Sequence, residues 1–155
     1  MEKLLLACDL DNTLLHSHRQ RREGDVCVEW FEGREQSFLD PAARSLLPRA
    51  LRELRLVPVT TRSVEQYRRI RWPEGCAPDL ALAANGGVLL RSGEPDPGWR
   101  GTDCVRPWRG ELDRLLALLL EEGDYRACRL VDGAYVFAAC ESEEAALRCA
   151  QRHPT

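Results

Sequence analysis

Two carboxylates, Asp9 and Asp11, close the apolar run LLLACDLDNTLL at residues 4–15. In an extended segment, residues two apart point their side chains to the same side, so both acids can face one crevice. One carboxylate can then serve as a nucleophile, forming an acyl phosphate that splits one hard displacement into two easier ones. The other can protonate a leaving oxygen and later activate water. Oxygen ligands this close also suit a hard cation such as Mg²⁺. Thr13 adds a hydroxyl. Taken alone, the D-x-D-N-T pattern reads equally well as a polar turn.

A second motif shifts that balance. The run LVPVTTRS ends in Thr60, with Thr61, Arg62 and Ser63 behind it. Ser63 with Gln66 three residues on is a capping box, so a helix starts there. A strand-end hydroxyl, free N–H groups at a helix start and the charge of Arg62 make a phosphate cradle. By itself Thr60 is an ordinary β-branched strand residue. Two such motifs at matching strand ends argue for the cradle.

These residues need strands to carry them. Lys3–Cys8 reads as a buried strand: continuous, apolar and too short for a helix. Residues 16–24 read as a polar loop, with His16 and His18 a solvated pair. Asp25–Phe38 alternates and turns at Glu32-Gly33, which predicts a hairpin with Val26, Val28 and Trp30 on one face. Asp40-Pro41 opens a helix whose apolar positions run to Leu54, and Pro48 inside it predicts a kink or a split. Leu56–Thr60 is a second strand, and the helix after Ser63 runs to about Ile70. Leu80–Ala84 is a third strand, and Asn85-Gly86-Gly87 turns the chain into Val88–Leu90. The stretch GEPDPG marks residues 92–107 as a linker. Beyond it come a leucine-striped helix at Trp108–Glu122 and short strands at Arg129–Val131 and Tyr135–Ala139 joined by Asp132-Gly133. A last helix runs from Ser142 to about His153. Alternating strands and helices in the first part predict an α/β fold with a parallel sheet; the second part predicts a small α+β unit.

Composition narrows the partners. A net charge of −3 gives no basic footprint for nucleic acid. No apolar run approaches the ~20 residues of a membrane span, and no export signal opens the chain, so a cytoplasmic address is expected. The 7 cysteines include no C-x-x-C pair and the 3 histidines complete no zinc set, which favours reduced thiols used as small apolar fillers.

DLDNTLL, VPVTTRS and LALAANGG together resemble the haloacid dehalogenase (HAD) superfamily of phosphatases. Within it the chain is similar to the group of sucrose-phosphate phosphatases and broad sugar-phosphate hydrolases. The resemblance implies a Rossmann-like core whose N-terminal half is residues 1–91, a flap hairpin at 25–38, and the start of an α+β cap at 108–155. By position, Asp9 resembles the nucleophile and Mg²⁺ ligand. Asp11 resembles the general acid/base, whose carbonyl also binds the metal. Thr60 resembles the phosphate-binding residue, with Thr13, Thr61 and Arg62 around it, and Asn85 the strand-end asparagine near the substrate. The implied activity is Mg²⁺-dependent hydrolysis of a small phosphorylated metabolite, a sugar phosphate, through an aspartyl-phosphate.

Three departures qualify this. Thr61 stands where the group often has glycine. Lys3 is the only lysine and precedes the first strand, whereas the family uses a later lysine or arginine to hold phosphate and nucleophile. Gly123-Asp124 follows a helix rather than a strand, so it is not read as the family's second acidic pair. The expectation is that the chain ends partway through the cap, binds Mg²⁺ weakly and is inactive alone. Its first strand is then an apolar edge that either self-associates or pairs with a missing remainder. The other reading is a degenerate, non-catalytic module that binds phosphate or a protein partner.

Overall fold

The leucine run at the start of the chain becomes an extended strand, β1 (Leu4–Asp9), in the computed structural model, which describes residues 3–123 and 125–153. Asp124, weighed above as part of an acidic pair, lies outside the described residues. After β1 come β2 (His16–Ser17), β3 (Val26–Phe31), β4 (Arg34–Leu39), α1 (Pro41–Glu53), β5 (Leu54–Val59), α2 (Val64–Arg68), β6 (Leu80–Ala83), β7 (Val88–Arg91) and β8 (Glu94–Pro95). Then follow α3 (Arg109–Glu122), β9 (Tyr125–Val131), β10 (Tyr135–Cys140) and α4 (Glu143–Arg152). The chain divides into two units, Met1–Gly101 and Thr102–Thr155.

The first unit is a mixed α/β structure around a sheet of order β1-β5-β6-β7-β8. β1 and β5 run parallel in a register from Leu4↔Leu54 to Asp9↔Val59. β5 and β6 are parallel too, but they meet at a single paired position, Val59↔Leu82. β7 and β8 continue the sheet antiparallel. A second sheet, β2-β4-β3, holds the hairpin. One apolar cluster joins the layers, including Leu10, Leu15, Val28, Leu39, Leu47, Tyr67, Ile70 and Ala83.

Local signals set most boundaries. Asp40 caps α1 by accepting from the Ala43 N–H at 2.7 Å, and Pro41 takes the first turn. Ser63 and Gln66 form the reciprocal capping box. Gly123 ends α3 at φ 69°, in the left-handed region that costs glycine nothing.

Four expectations change. Pro48 does not split α1, which runs unbroken from Pro41 to Glu53 with the neighbouring Leu47 buried against the core. β1 is not buried: Leu4, Leu5 and Leu6 are 77%, 65% and 41% exposed, because β1 is an edge strand. His16 is no solvated residue, since it lies in β2, stacks on Phe38 and meets Asp25 Oδ2 at 2.6 Å. Residues 92–101, read as the start of a linker, close onto the first unit: β8 pairs with β7, and Trp99 Nε1 donates to the Gly86 carbonyl at 2.8 Å.

In the second unit α3 and α4 accompany the β9–β10 hairpin. Its turn carries Asp132 and Gly133, both at positive φ. Among the described residues no helix is long and apolar enough to cross a membrane.

Candidate active site

β1 and β5 end side by side, and their carboxyl ends carry the two motifs. Leu10 and Leu15, both almost fully buried, pin the loop between them into the core, so the polar residues 11–13 are held outward. The loop is closed by backbone bonds: Asn12 N–H donates to the Leu15 carbonyl at 2.7 Å, and Leu15 N–H to the Leu10 carbonyl at 2.8 Å. Asn12 takes φ 61°, a conformation asparagine tolerates better than most residues.

Asp9 is exposed at the tip of β1, and its Oδ2 accepts from the Thr13 hydroxyl at 2.9 Å. Thr13 therefore orients this carboxylate. The ion pairs of the described residues include none to Asp9. The neighbouring thiol of Cys8 is pushed up by burial and by the Asp9 charge.

Thr60 is 3% exposed. Its N–H donates to the Leu82 carbonyl at 2.9 Å, and its carbonyl accepts from Asn85 N–H at 3.0 Å, so the ends of β5 and β6 are stitched together here. Its hydroxyl accepts from Arg62 N–H at 3.1 Å and lies 3.5 Å from Asp11 Oδ2. Thr61 is exposed and is not in the left-handed region, so no glycine is demanded at that position. Asn85 is exposed at φ 55° and follows Ala84, also at positive φ. Two consecutive non-glycine residues in this region are costly, and such strain clusters at functional sites.

Arg62 is committed elsewhere than a free phosphate-binding cation would be. Its Nε and Nη2 fork onto Asp11 at 2.9 and 2.6 Å. Its Nη1 donates to Glu29 at 2.8 Å. Burial pulls the Arg62 pKa down, but the hydrogen bonds and charge of Asp11 and then Glu29 outweigh it and leave the pKa raised. Glu29 also accepts from Ser37 Oγ at 2.6 Å and Arg69 Nε at 3.1 Å. Arg69 also pairs with Glu65 at 3.6 Å, so three acids, Asp11, Glu29 and Glu65, meet the two arginines Arg62 and Arg69.

Glu29 and Ser37 are the residues that sequence reasoning missed. Strict alternation puts Glu29 on the face opposite Val28, yet both are buried. The pairing steps from Cys27↔Phe38 to Glu29↔Ser37 and then to Trp30↔Glu35, so irregularities on both sides of Glu29 re-aim it inward. The signals available were an acid inside an apolar strand and two arginines seven residues apart flanking a helix.

A Mg²⁺ ion would find the Asp9 carboxylate and the Asp11 carbonyl at this position. Among the described residues no group of three His, Cys, Asp or Glu could hold a metal. Mg²⁺ often keeps several waters and uses one or two carboxylates, so any ion here would take most of its ligands from water.

No family model matches the chain, and no curated protein matches it. A solved structure does: a phosphatase of the haloalkanoate (HAD) enzyme superfamily from Bacteroides thetaiotaomicron, with a TM-score of 0.47 and 18% identity. The match covers 99% of this chain and 48% of that one, so the chain spans about half the length of that structure.

Proposed function

We propose that this chain carries the nucleophile half of a HAD-type phosphatase active site, hydrolysing a small phosphorylated metabolite, a sugar phosphate, through an aspartyl-phosphate on Asp9. The observation that carries the proposal is the convergence of Asp9, Asp11 and Thr60 at the ends of two adjacent parallel strands. Asp11 and Thr60 are 49 residues apart, and their side chains approach to 3.5 Å. Ligands of open parallel sheets bind beyond the carboxyl ends of the strands.

In the first step an Asp9 oxygen attacks phosphorus, the bond to the leaving oxygen breaks, and Asp11, which enters this step protonated, gives that oxygen its proton and becomes the carboxylate. In the second, Asp11 takes a proton from water, water attacks phosphorus, and the bond to Asp9 breaks to release phosphate. Thr13 orients Asp9 throughout. Mg²⁺ held by Asp9 and the Asp11 carbonyl would offset the negative charge gathered between carboxylate and phosphate. The Thr60 hydroxyl would hold a phosphate oxygen, with Thr61 beside it and Asn85 at the substrate side.

The open edge of β1 belongs to the same proposal. Further strands on that side, from a remainder of the protein or from a second copy, would complete the sheet, and the cation that Asp9 lacks would come with them. A second reading, a non-catalytic module binding phosphate or a protein partner, is favoured by one observation: the guanidinium of Arg62 is already held by two carboxylates.

The test is incubation with Mg²⁺ and a panel of sugar phosphates, with mass spectrometry of the intact chain after acid quenching. Phosphate release with an added phosphoryl group mapping to Asp9 is expected of the active form. Reversible phosphate binding with no release and no adduct under any condition would favour the non-catalytic reading.

A further inference from the structure

We propose that Glu29, on the hairpin, is a positioning residue for Asp11 and acts through Arg62; the proposal rests on the assignment of Asp11 as the acid/base group. The Asp11 side chain is 43% exposed, so burial does not fix where it points. The fork of Arg62 holds it, with Nε and Nη2 on its two oxygens at 2.9 and 2.6 Å, closer than the Thr60 hydroxyl at 3.5 Å. A guanidinium is planar, so anchoring one nitrogen limits the directions of the others. Arg62 is anchored at Nη1 by Glu29, at 2.8 Å. Ser37 closes the ring: its hydroxyl donates to Glu29 at 2.6 Å and accepts from Arg62 Nη2 at 2.9 Å.

A purely structural role for Glu29 would be to fasten the hairpin to the segment after α2. That fastening already exists without Arg62. Arg69 Nε donates to Glu29, the Arg69 guanidinium lies 4.4 Å over the Phe31 ring, and Arg71 N–H donates to the Val28 carbonyl at 2.6 Å. The bond from Arg62 adds little to that anchor. It does determine which edge of Arg62 faces Asp11. The irregular pairing around Glu29 is then a device that turns a strand carboxylate toward the site.

The direct test is NMR of the arginine Nε–H signals in the full chain. The Arg62 signal is assigned by its loss in Arg62→Lys. In the wild type it should exchange slowly with water, because Asp11 accepts it. Glu29→Gln should speed that exchange by about tenfold or more, and Glu29→Asp by less, while Glu94→Gln should leave it unchanged. Should Glu29→Gln fail to fold, Glu29→Asp and Ser37→Ala decide. Unchanged exchange in the folded variants overturns the proposal, whether or not the chain has activity.

In an active form, Glu29→Gln should lower kcat about 10- to 100-fold with KM within about twofold. That loss should largely vanish when Asp11 is already Asn, because the two act as a unit. Equal losses in both backgrounds would make Glu29 structural only. If Asp9→Asn keeps full turnover, the function assignment fails separately, and the exchange experiment still stands.

Discussion

The sheet of the first unit ends in two very different edges. On one side the last strand, β8, has two residues, and one of them is Pro95. Its other residue, Glu94, is charged and ion-paired with Arg68. Short length, proline and charge all discourage a second chain from pairing there. On the other side β1 has six residues, and no strand among the described residues lies on its free side. Three consecutive exposed leucines mean that both faces are uncovered there, since successive side chains point opposite ways. Parallel sheets are normally covered on both faces. The protected edge carries none of the candidate site, whereas the open one carries Asp9. The difference teaches that the candidate nucleophile sits at the uncovered edge of the sheet and not at the protected one.

The contrast can be broken most sharply at Asp9. In the active form, Asp9→Asn should remove turnover of phosphomonoesters to below detection, because an amide is a poor nucleophile toward phosphorus. Glu94→Gln at the opposite edge should leave it unchanged; steady-state assays on sugar phosphates decide. Asp11→Asn should come next, slowing turnover by roughly 10²–10⁴-fold through loss of acid/base catalysis. A variant with near-normal rates would remove Asp11 from the mechanism.

The third test turns one edge into the other. Leu4→Lys with Leu6→Lys should convert an associating chain into a monomer, as read by light scattering of the eluting protein. A wild-type chain that is monomeric and active alone would sink the idea that β1 waits for a partner. Mg²⁺ gives a smaller signal: calorimetry on the 155-residue chain should show weak binding only, and tight stoichiometric binding would reveal ligands beyond Asp9 and the Asp11 carbonyl.

The smallest effect is expected far from both edges, at Asp25. The Arg22 N–H and then His16 hold its carboxyl below the usual range, against an opposing effect of burial. A depressed carboxyl pKa gives stability that is fully present above the unfolded value, about 3.9, and is lost as pH falls through the folded one. Asp25→Asn should therefore lower the melting temperature at neutral pH, with the gap closing below about pH 4. Melting curves taken across pH, with mass unchanged, would check it.

What could be read from the chain was what is decided locally. The Ser63–Gln66 box, the Asp40-Pro41 start, the stop at Gly123 and the Asp132-Gly133 turn depend on a few neighbouring residues. The places of the two motifs at neighbouring strand ends were legible for the same reason, because each is a strand end followed by a turn. Glu29 was not legible, since its direction depends on how β3 registers against β4, and one extra residue reverses a side chain. The exposure of β1 was not legible from its composition, because an apolar run looks the same at the centre of a sheet and at its edge; the edge position was expected only through the resemblance. The split expected at Pro48 does not occur: helix propensity is local, whereas the burial of Leu47 beside it depends on the rest of the fold.

The single paired position between β5 and β6 has a mechanical consequence. At the carboxyl end these strands are laced by the bonds of Thr60 to Leu82 and Asn85. Toward their amino ends a cleft of about 210 Å³ opens, lined by residues that include Leu54, Leu56, Asp79 and Leu80. The sheet is therefore a clasp, fastened at one end and free to spread at the other. Thr60 is the fastening, so the place where a phosphate would be gripped is a point of the seam tied by backbone bonds on both sides.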